Sequence, residues 1–163
     1  MGKKKTVQEL CVEYGSDKTP EIRHTYAPKY DELFEGLKNV KKVLEIGVGH
    51  PGLQDNYVKR DPNRFYYPSG VSLRVWRGYF PEAMVYGIDI NPEAMIIGEE
   101  RIQTIIGDSN NEEFVSSTMK EIGPVDIIID DGDHRSWAQI ATAQLFIPHV
   151  KNLIHVFRWI NIF

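Results

Sequence analysis

VLEIGVG, residues 43–49, is a short apolar run that ends in two glycines. Aliphatic and β-branched residues without polar alternation are typical of a strand that is buried on both faces of a sheet. Similar runs recur along the chain, and the first three of them carry an acidic residue at or near the end: MVYGIDI (84–90), IQTIIGD (102–108), VDIIIDDG (125–132) and NLIHVFRWINIF (152–163).

Helical patterns lie between these runs. Apolar residues recur at helical spacing in two places, which are Leu73, Trp76 and Phe80, and then Trp137, Ile140, Ala141 and Leu145. Strands that alternate with helices predict a parallel sheet wrapped by right-handed crossovers. The expected fold class is therefore α/β, of the open Rossmann-like kind.

Two further helices are predicted before the first strand. Val7, Leu10, Cys11 and Tyr14 recur at helical spacing until GSDKTP breaks the pattern, and APKYDELFEGL follows with apolar residues on one face. We interpret residues 1–40 as an N-terminal helical cap and residues 41–163 as the Rossmann-like domain.

Composition limits the class of protein. The chain has 163 residues, of which 42% are hydrophobic and 26% charged, which suits one globular domain. A net charge of −4 without a basic stripe argues against nucleic acid as a partner. Cys11 is the only cysteine, which suits a reducing compartment, and no apolar stretch approaches the length of a membrane span. We expect a cytoplasmic protein that does not bind membranes.

Acids and glycines concentrate where the predicted strands end. In an open parallel sheet, ligands bind outside the carboxyl ends of the strands. Each acid taken alone could instead cap a helix or lie in a solvated loop, but their repetition over four strands favours one shared site. The residues concerned are Glu45, Gly47 and Gly49, then Asp89, then Asp108, and finally Asp130 with Asp131.

GVGHPG, residues 47–52, formally matches the dinucleotide fingerprint G-x-G-x-x-G. That fingerprint needs its third glycine at the start of a helix and an acidic residue about 20 positions later. Gly52 instead leads into an irregular stretch, and Asp89 lies much farther along the chain. The match is weak evidence for a nicotinamide-dependent oxidoreductase. We keep that function only as a weak alternative.

The segment IIIDDGDHRSW, residues 127–137, gathers three aspartates and a histidine directly after an apolar run. One interpretation is that Asp131 and Asp133 cap a helix that begins near Arg135, with His134 simply exposed. The other is that these groups surround a cation or move a proton. Capping and catalysis are compatible, so both interpretations stay open here.

VLEIGVG, VYGIDINP, TIIGDS and DIIIDDGDHRSW together resemble the class I S-adenosylmethionine-dependent methyltransferases. More narrowly, the chain resembles metal-dependent sugar O-methyltransferases of the macrolide-tailoring (mycinamicin) type, including GSDK at 15–18 and HTYAPKYDELF after it. The resemblance covers most of residues 12–150. It implies the strand order 3-2-1-4-5 with helices on both faces, and O-methylation of a sugar or polyol hydroxyl of a small molecule or glycoside in natural-product tailoring.

The resemblance also implies S-adenosylmethionine as cofactor and assigns roles around it. Gly47 and Gly49 would lie against its methionine end, Asp89 would accept the ribose hydroxyls, and Asp108 would face the adenine amino group. The remaining cofactor-binding residues that it implies are Glu45, Ser109 and Asp130.

For the chemistry, the resemblance implies Mg²⁺ bound by Asp131, since a hard cation prefers carboxylate oxygen. His134 would be the general base that takes the proton from the acceptor hydroxyl, so Asp131 and His134 are the candidate catalytic residues. A well-placed general base contributes typically about 10²–10⁴-fold in rate.

The stretch from His50 to Ser69 is predicted to be a long loop that acts as a lid and shapes the choice of acceptor. Tyr57, Tyr66 and Tyr67 within it are either loop anchors or sugar-stacking residues. Trp137 is expected to pack in the core.

The chain departs from the family pattern after Asp133, because no Asp or Glu follows that residue. The acidic pair that completes the family's metal site after the fifth strand is therefore missing, and weak cation binding by Asp130, Asp131 and Asp133 with water is the expectation. The last strand is expected to be an exposed apolar edge that pairs with another copy, as in a homo-oligomer. A truncated gene product and a non-catalytic cofactor-binding or interaction module are the alternatives that this departure raises.

Overall fold

The computed structural model describes residues 4–60, 68–151 and 155–157 of the chain. Five parallel strands form one sheet in the order β3-β2-β1-β4-β5, which confirms the predicted order. The strands are β1 (Lys42–Ile46), β2 (Met84–Asp89), β3 (Ile102–Ile106), β4 (Ile127–Asp130) and β5 (His155–Phe157).

Six helices are described around the sheet. They are α1 (Val7–Tyr14), α2 (Ala27–Phe34), α3 (Pro51–Arg60), α4 (Val71–Tyr79), α5 (Glu112–Ile122) and α6 (Ser136–Phe146). Short 3₁₀ turns follow β2 at Pro92–Ala94 and α6 at Ile147–His149. The predicted α/β class is confirmed.

Alternation along the central strands divides the core into two layers. Val43, Ile127 and Ile129 pack with helices α1, α2 and α4 on one face of the sheet. Leu44 and Ile128 pack with α5 and α6 on the other face. A sheet covered on both faces explains why these strands have continuous apolar sequences.

Helices α1 and α2 join the layer that α4 forms. Thr6 and Glu9 form a capping box at the start of α1, and Gly15 ends the helix in the left-handed conformation. Phe34 of α2 packs edge-on against Trp76 of α4, with 5.8 Å between ring centroids. The division into a cap at residues 1–40 and a domain at 41–163 stays a prediction.

The prediction of a long loop from His50 to Ser69 is wrong for residues 51–60, which form α3. Pro51 is suited to a first helical turn, and the His50 imidazole accepts a hydrogen bond from the Leu53 backbone N–H at 3.3 Å. The helix has few apolar residues and therefore no clear period in the sequence. Residues 61–67, with Tyr66 and Tyr67, and the side chain of Tyr57 lie outside the described part.

The predicted apolar face of α6 is wrong for Trp137 and Ile140, whereas Leu145 does pack against the core. Trp137 is 57% exposed and Ile140 is 59% exposed, whereas Ala138, Thr142, Ala143 and Phe146 face the core. Small side chains allow the helix to pack closely on the sheet. Because α6 is apolar around most of its circumference, its period does not identify the buried side.

Within the described ranges, no helix has both the length and the apolar character that crossing a membrane requires. The last predicted strand is described only at His155–Phe157, and Arg158 and the residues after it lie outside those ranges.

Candidate functional site

A cavity of about 780 Å³ opens at the carboxyl ends of the strands. This volume is within the range of small-molecule sites. Its lining includes residues at and beyond the ends of β1 (46–50), β2 (88–90), β3 (108–110) and β4 (131–135). It also includes Trp137 and residues 16–18 and 23–24 between α1 and α2. Asp89, Asp108 and Asp131 therefore face one shared space, as the positions of the strand ends suggested.

The turn after β1 needs glycine for a geometric reason. Gly47 has a φ of 87°, and a Cβ there would collide with the Asp131 carbonyl and lie 2.7 Å from the Gly132 Cα. Gly49 has a φ of 77°, and a Cβ there would meet no other atom within 4 Å. The first glycine lets the β1 and β4 ends approach each other, and the second leaves the cavity side of the turn open.

Asp89 holds this turn in place. Its Oδ2 accepts the backbone N–H groups of Val48 and Gly49 at 2.9 and 3.0 Å, and its Oδ1 accepts the Asn91 N–H at 2.9 Å. A carboxylate can accept further hydrogen bonds beyond these three, so a ligand hydroxyl can still bind it. Asp89 is thus both a support for the turn and a part of the cavity wall.

The β2 and β3 ends form the next part of the wall. Asp108 Oδ1 accepts the Asn110 N–H at 2.8 Å, and Ser109 lines the cavity beside it. Ile90 also lines the cavity and is 70% exposed. The sequence analysis missed Ile90, although an apolar residue directly after the acid that ends β2 was a visible signal.

Asp130 does not line the cavity, so the structure contradicts its prediction as a cofactor-binding residue. Strand alternation puts its side chain on the same sheet face as Ile128, away from Asp131. Its Oδ1 accepts the Gly132 N–H at 3.1 Å, and its Oδ2 is buried with no hydrogen-bond partner among the described residues. Burial raises the pKa of this carboxyl to about 6.

Glu45 is a second correction, because it is fully buried under α4 and does not line the cavity. Its Oε2 accepts the Ser72 hydroxyl at 2.5 Å, and its Oε1 lies 3.5 Å from the Lys18 ammonium. Burial raises the pKa of Glu45 to about 7, although Lys18 opposes this shift. The Glu45 side chain lies on the same face of the sheet as Val43, where α4 covers it, and it therefore lies behind Lys18 and not at the strand end.

Lys18 is the centre of a buried ion cluster that the sequence analysis did not identify. The Lys18 ammonium contacts the carboxylates of Asp131 and Glu45 and is itself buried. Burial alone lowers the pKa of Lys18, but the two carboxylates raise it well above its ordinary value. GSDK was noted only as part of a resemblance, and no pattern in it showed which strand ends Lys18 would reach.

Asp133, the other acidic residue of the β4–α6 loop, is paired with Arg135. Asp133 accepts the Arg135 backbone N–H at 3.0 Å and pairs with the Arg135 guanidinium. Arg135 is the N-cap residue of α6, and its own side chain makes no capping hydrogen bond. Capping by Asp131 is wrong, because Asp131 pairs with Lys18, whereas Asp133 does accept a backbone N–H at the start of α6. His134 lies on the cavity wall beside them and is exposed.

A further part of the wall comes from the segment between α1 and α2. His24 Nε2 lies 3.6 Å from Asp17 Oδ2, and the His24 ring stacks on Tyr26 at 5.0 Å between centroids. Arg23 lines the cavity near them. Trp137 faces the cavity as well, with the Arg135 guanidinium 4.6 Å from its ring centroid, so the expectation that it packs in the core is wrong.

Comparison with known proteins connects this geometry to an enzyme group. The chain is 36% identical over 154 residues to the mycinamicin VI 2''-O-methyltransferase of Micromonospora griseorubida, covering 91% of this chain and 34% of that protein. The chain is a homologue of sugar O-methyltransferases. A second homologue, at 33% identity, is an 8-demethyl-8-(2-methoxy-alpha-L-rhamnosyl)-tetracenomycin-C 3'-O-methyltransferase of Streptomyces olivaceus, with 88% of this chain and 33% of that protein covered.

A solved structure supports the same relationship. MycE methyltransferase from the mycinamycin biosynthetic pathway, in complex with Mg and SAH, superposes with a TM-score of 0.78 at 33% identity, over 95% of this chain and 37% of that chain. This homology bears out the resemblance to the class I fold. No protein-family model matches the chain. The chain spans about a third of the length of the relatives that it matches.

In the present chain, the described residues do not form a complete magnesium site. Asp131 pairs with Lys18, Asp133 pairs with Arg135, and Asp130 lies on the other face of the sheet. In the described ranges, no group of three or more His, Cys, Asp or Glu residues is placed to hold a metal ion. The expected cluster of three aspartates around a cation is therefore not found.

Proposed function

We propose that this chain binds S-adenosylmethionine at the carboxyl ends of β1 to β4 and is the cofactor-binding part of a sugar O-methyltransferase. The observation that carries the proposal is the single cavity into which Gly49, Asp89, Asp108 and His134 all open. Homology to enzymes that methylate the sugars of macrolide and polyketide glycosides supports the acceptor class.

The cavity suits the cofactor in shape and charge. The open side of Gly49 leaves room for a ligand against the backbone, and Asp89 can accept hydroxyl hydrogen bonds in addition to its three N–H donors. Asp108 and Ser109 would contact the base, and Ile90 would provide an apolar surface for it. Carboxylates around the cavity favour a cationic ligand.

The proposed chemistry uses His134 of the β4–α6 loop. When bound, S-adenosylmethionine supplies an electrophilic methyl group on a sulfonium. The His134 imidazole would take the proton from an acceptor hydroxyl, which makes the oxygen a better nucleophile as the new bond forms. Arg23, His24 and Trp137 line the part of the cavity that an acceptor would enter.

Incubating the chain with S-adenosylmethionine labelled in the methyl group tests this proposal. A deoxysugar macrolide glycoside and the matching aglycone are compared as acceptors. Label in the glycoside and none in the aglycone is the expected result. Label in neither acceptor, from a protein that binds S-adenosylhomocysteine, would leave the non-catalytic interpretation.

A second candidate function is a non-catalytic cofactor-binding or interaction module with the methyltransferase fold. The observation that favours it is the contact between Asp131 and Lys18, which occupies the carboxylate that a catalytic metal would need. A chain of this kind binds S-adenosylhomocysteine but transfers no methyl group to the glycoside.

We further propose a cytoplasmic location, a small-molecule or glycoside acceptor, no binding of nucleic acid or membranes, and self-association through the β5 edge. Cys11, the one cysteine of the sequence, is buried and unpaired, which supports the cytoplasmic location. A net charge of −4 supports the absence of nucleic-acid binding. Among the described residues, β5 pairs with a neighbouring strand on one side only, which supports self-association.

A further inference from the structure

Lys18 lies at the base of the segment between α1 and α2 and is only 4% exposed. Its backbone carbonyl accepts the N–H groups of Tyr26 and Ala27 at 3.1 and 2.8 Å, where α2 begins. The segment is therefore folded around this residue. Burial of an ammonium is unfavourable unless the charge is paired and hydrogen-bonded. A turn before α2 does not by itself require a buried lysine at this position.

The ammonium joins three separate parts of the fold. It contacts Asp131 in the loop after β4 and lies 3.5 Å from Glu45 of β1, whose other oxygen is held by Ser72 of α4. Two carboxyl groups therefore share one cation. Lys18 and Asp131 both reach the cavity wall, while Glu45 lies behind them.

Asp131 transmits this contact to the rest of the site. Its N–H donates to the Ile46 carbonyl at 2.8 Å, and its own carbonyl packs so closely against Gly47 that no Cβ would fit between them. A shift of Asp131 would therefore displace the glycine turn after β1. The same shift would displace the loop that continues to His134.

We propose that Lys18 is a positioning residue whose ammonium fixes Asp131 and, through it, the glycine turn at Gly47 and the loop that carries His134. The inference rests on the proposed function, because it assigns Lys18 a role in shaping the S-adenosyl site. In this role the segment between α1 and α2 supports the binding site, in addition to packing in the layer of α4.

Comparing two variants isolates this role. Glu45→Gln keeps the contact between Lys18 and Asp131, whereas Lys18→Met/Glu45→Gln removes it and adds no unpaired charge behind the cavity. In the double variant Asp131 keeps its charge without the Lys18 cation, and loss of one partner from a largely buried pair is destabilising. We therefore expect a lower melting temperature for the double variant, and the affinities of the two variants are compared well below both midpoints. Lys41→Met/Glu82→Gln removes an exposed ion pair and is the matched control.

Calorimetric titration with S-adenosylhomocysteine gives the readout. We expect the double variant of Lys18 and Glu45 to bind about 10-fold more weakly than Glu45→Gln, as when an outer positioning partner is lost. Where methyl transfer is measurable, kcat should fall by about 100-fold with a smaller change in KM. Equal affinity of the two folded variants would overturn the proposal, and absence of binding by the parent would instead overturn the proposed function.

Hydrogen exchange of the unmodified chain provides a second test that does not depend on a variant that folds. S-adenosylhomocysteine should slow amide exchange in residues 15–26 together with residues 131–134. Protection of 131–134 alone would contradict a role for the Lys18 segment in the site.

Discussion

Asp130→Asn is the perturbation that most directly tests the electrostatics at the end of β4. The Asp130 carboxyl is 2% exposed, and one of its oxygens has no hydrogen-bond partner among the described residues. Burial raises its pKa from 3.8 to about 6. Once this group is ionised in both states, that shift corresponds to about 3 kcal/mol of lost stability.

The sign follows from proton release. The unfolded chain releases this proton near pH 3.8 and the folded chain near pH 6, so the folded state holds more protons between these values. The free energy of unfolding therefore falls as pH rises through this window, and the loss is complete above it. Asparagine cannot ionise, and its carbonyl oxygen can still accept the Gly132 N–H.

Urea unfolding of the parent and the variant at pH 5 and pH 8, followed by circular dichroism, measures the effect. A buried amide without a partner costs about 1–3 kcal/mol at either pH, so the decisive quantity is the change with pH. Relative to the parent, Asp130→Asn should gain about 1.4 kcal/mol between pH 5 and pH 8. Glu113→Gln, an exposed change on α5, should stay within about 0.5 kcal/mol of the parent at both. A parent-to-variant difference that is the same at pH 5 and pH 8 would refute the reasoning.

Three further predictions concern the site. Gly47→Ala should lose about 2 kcal/mol or more in urea unfolding, because its φ of 87° and the adjacent Asp131 carbonyl leave no room for a Cβ; an unchanged midpoint would contradict the packing of the β1 and β4 ends. His134→Ala should keep its affinity for S-adenosylhomocysteine within about twofold and lose about 10²–10⁴-fold in the rate of methyl transfer. The control His149→Ala, after α6, should keep both the affinity and the rate. Equal rates of methyl transfer for the two variants would show that His134 is not the general base. Mg²⁺ should bind the parent only weakly in calorimetry, with a dissociation constant of roughly 1 mM or higher, since Asp131 is paired with Lys18; micromolar binding would show that the carboxylate is available to a metal.

The sheet could be predicted from sequence because its strands are buried on both sides. Apolar runs such as residues 127–129, and residues 43–46 with Glu45 as the one polar exception, have few other uses in a chain of this composition. Their acidic ends indicated the side on which a ligand binds, and Asp89, Asp108 and Asp131 do share a cavity there. Sequence periodicity was a weaker guide for helices, since α3 has few apolar side chains and no clear period, and α6 has apolar side chains around most of its circumference.

The site could be predicted only in part, because strand alternation decides which acids reach it. Asp130 and Asp131 are adjacent in sequence, yet one is buried on the α5–α6 face and the other lines the cavity. Glu45 is separated from the cavity in another way, because it shares the Lys18 ammonium with Asp131 but lies deeper, under α4. Lys18 lies more than a hundred residues from Asp131, and a contact of that range leaves no local pattern.

The central claim is that the ends of neighbouring parallel strands form one binding site for the S-adenosyl group. Calorimetric titration of the purified chain with S-adenosylhomocysteine, and separately with NAD, tests it most directly. The account predicts saturable binding of one S-adenosylhomocysteine per chain and no heat with NAD. Binding of NAD, or no binding of S-adenosylhomocysteine by the folded chain, would contradict it.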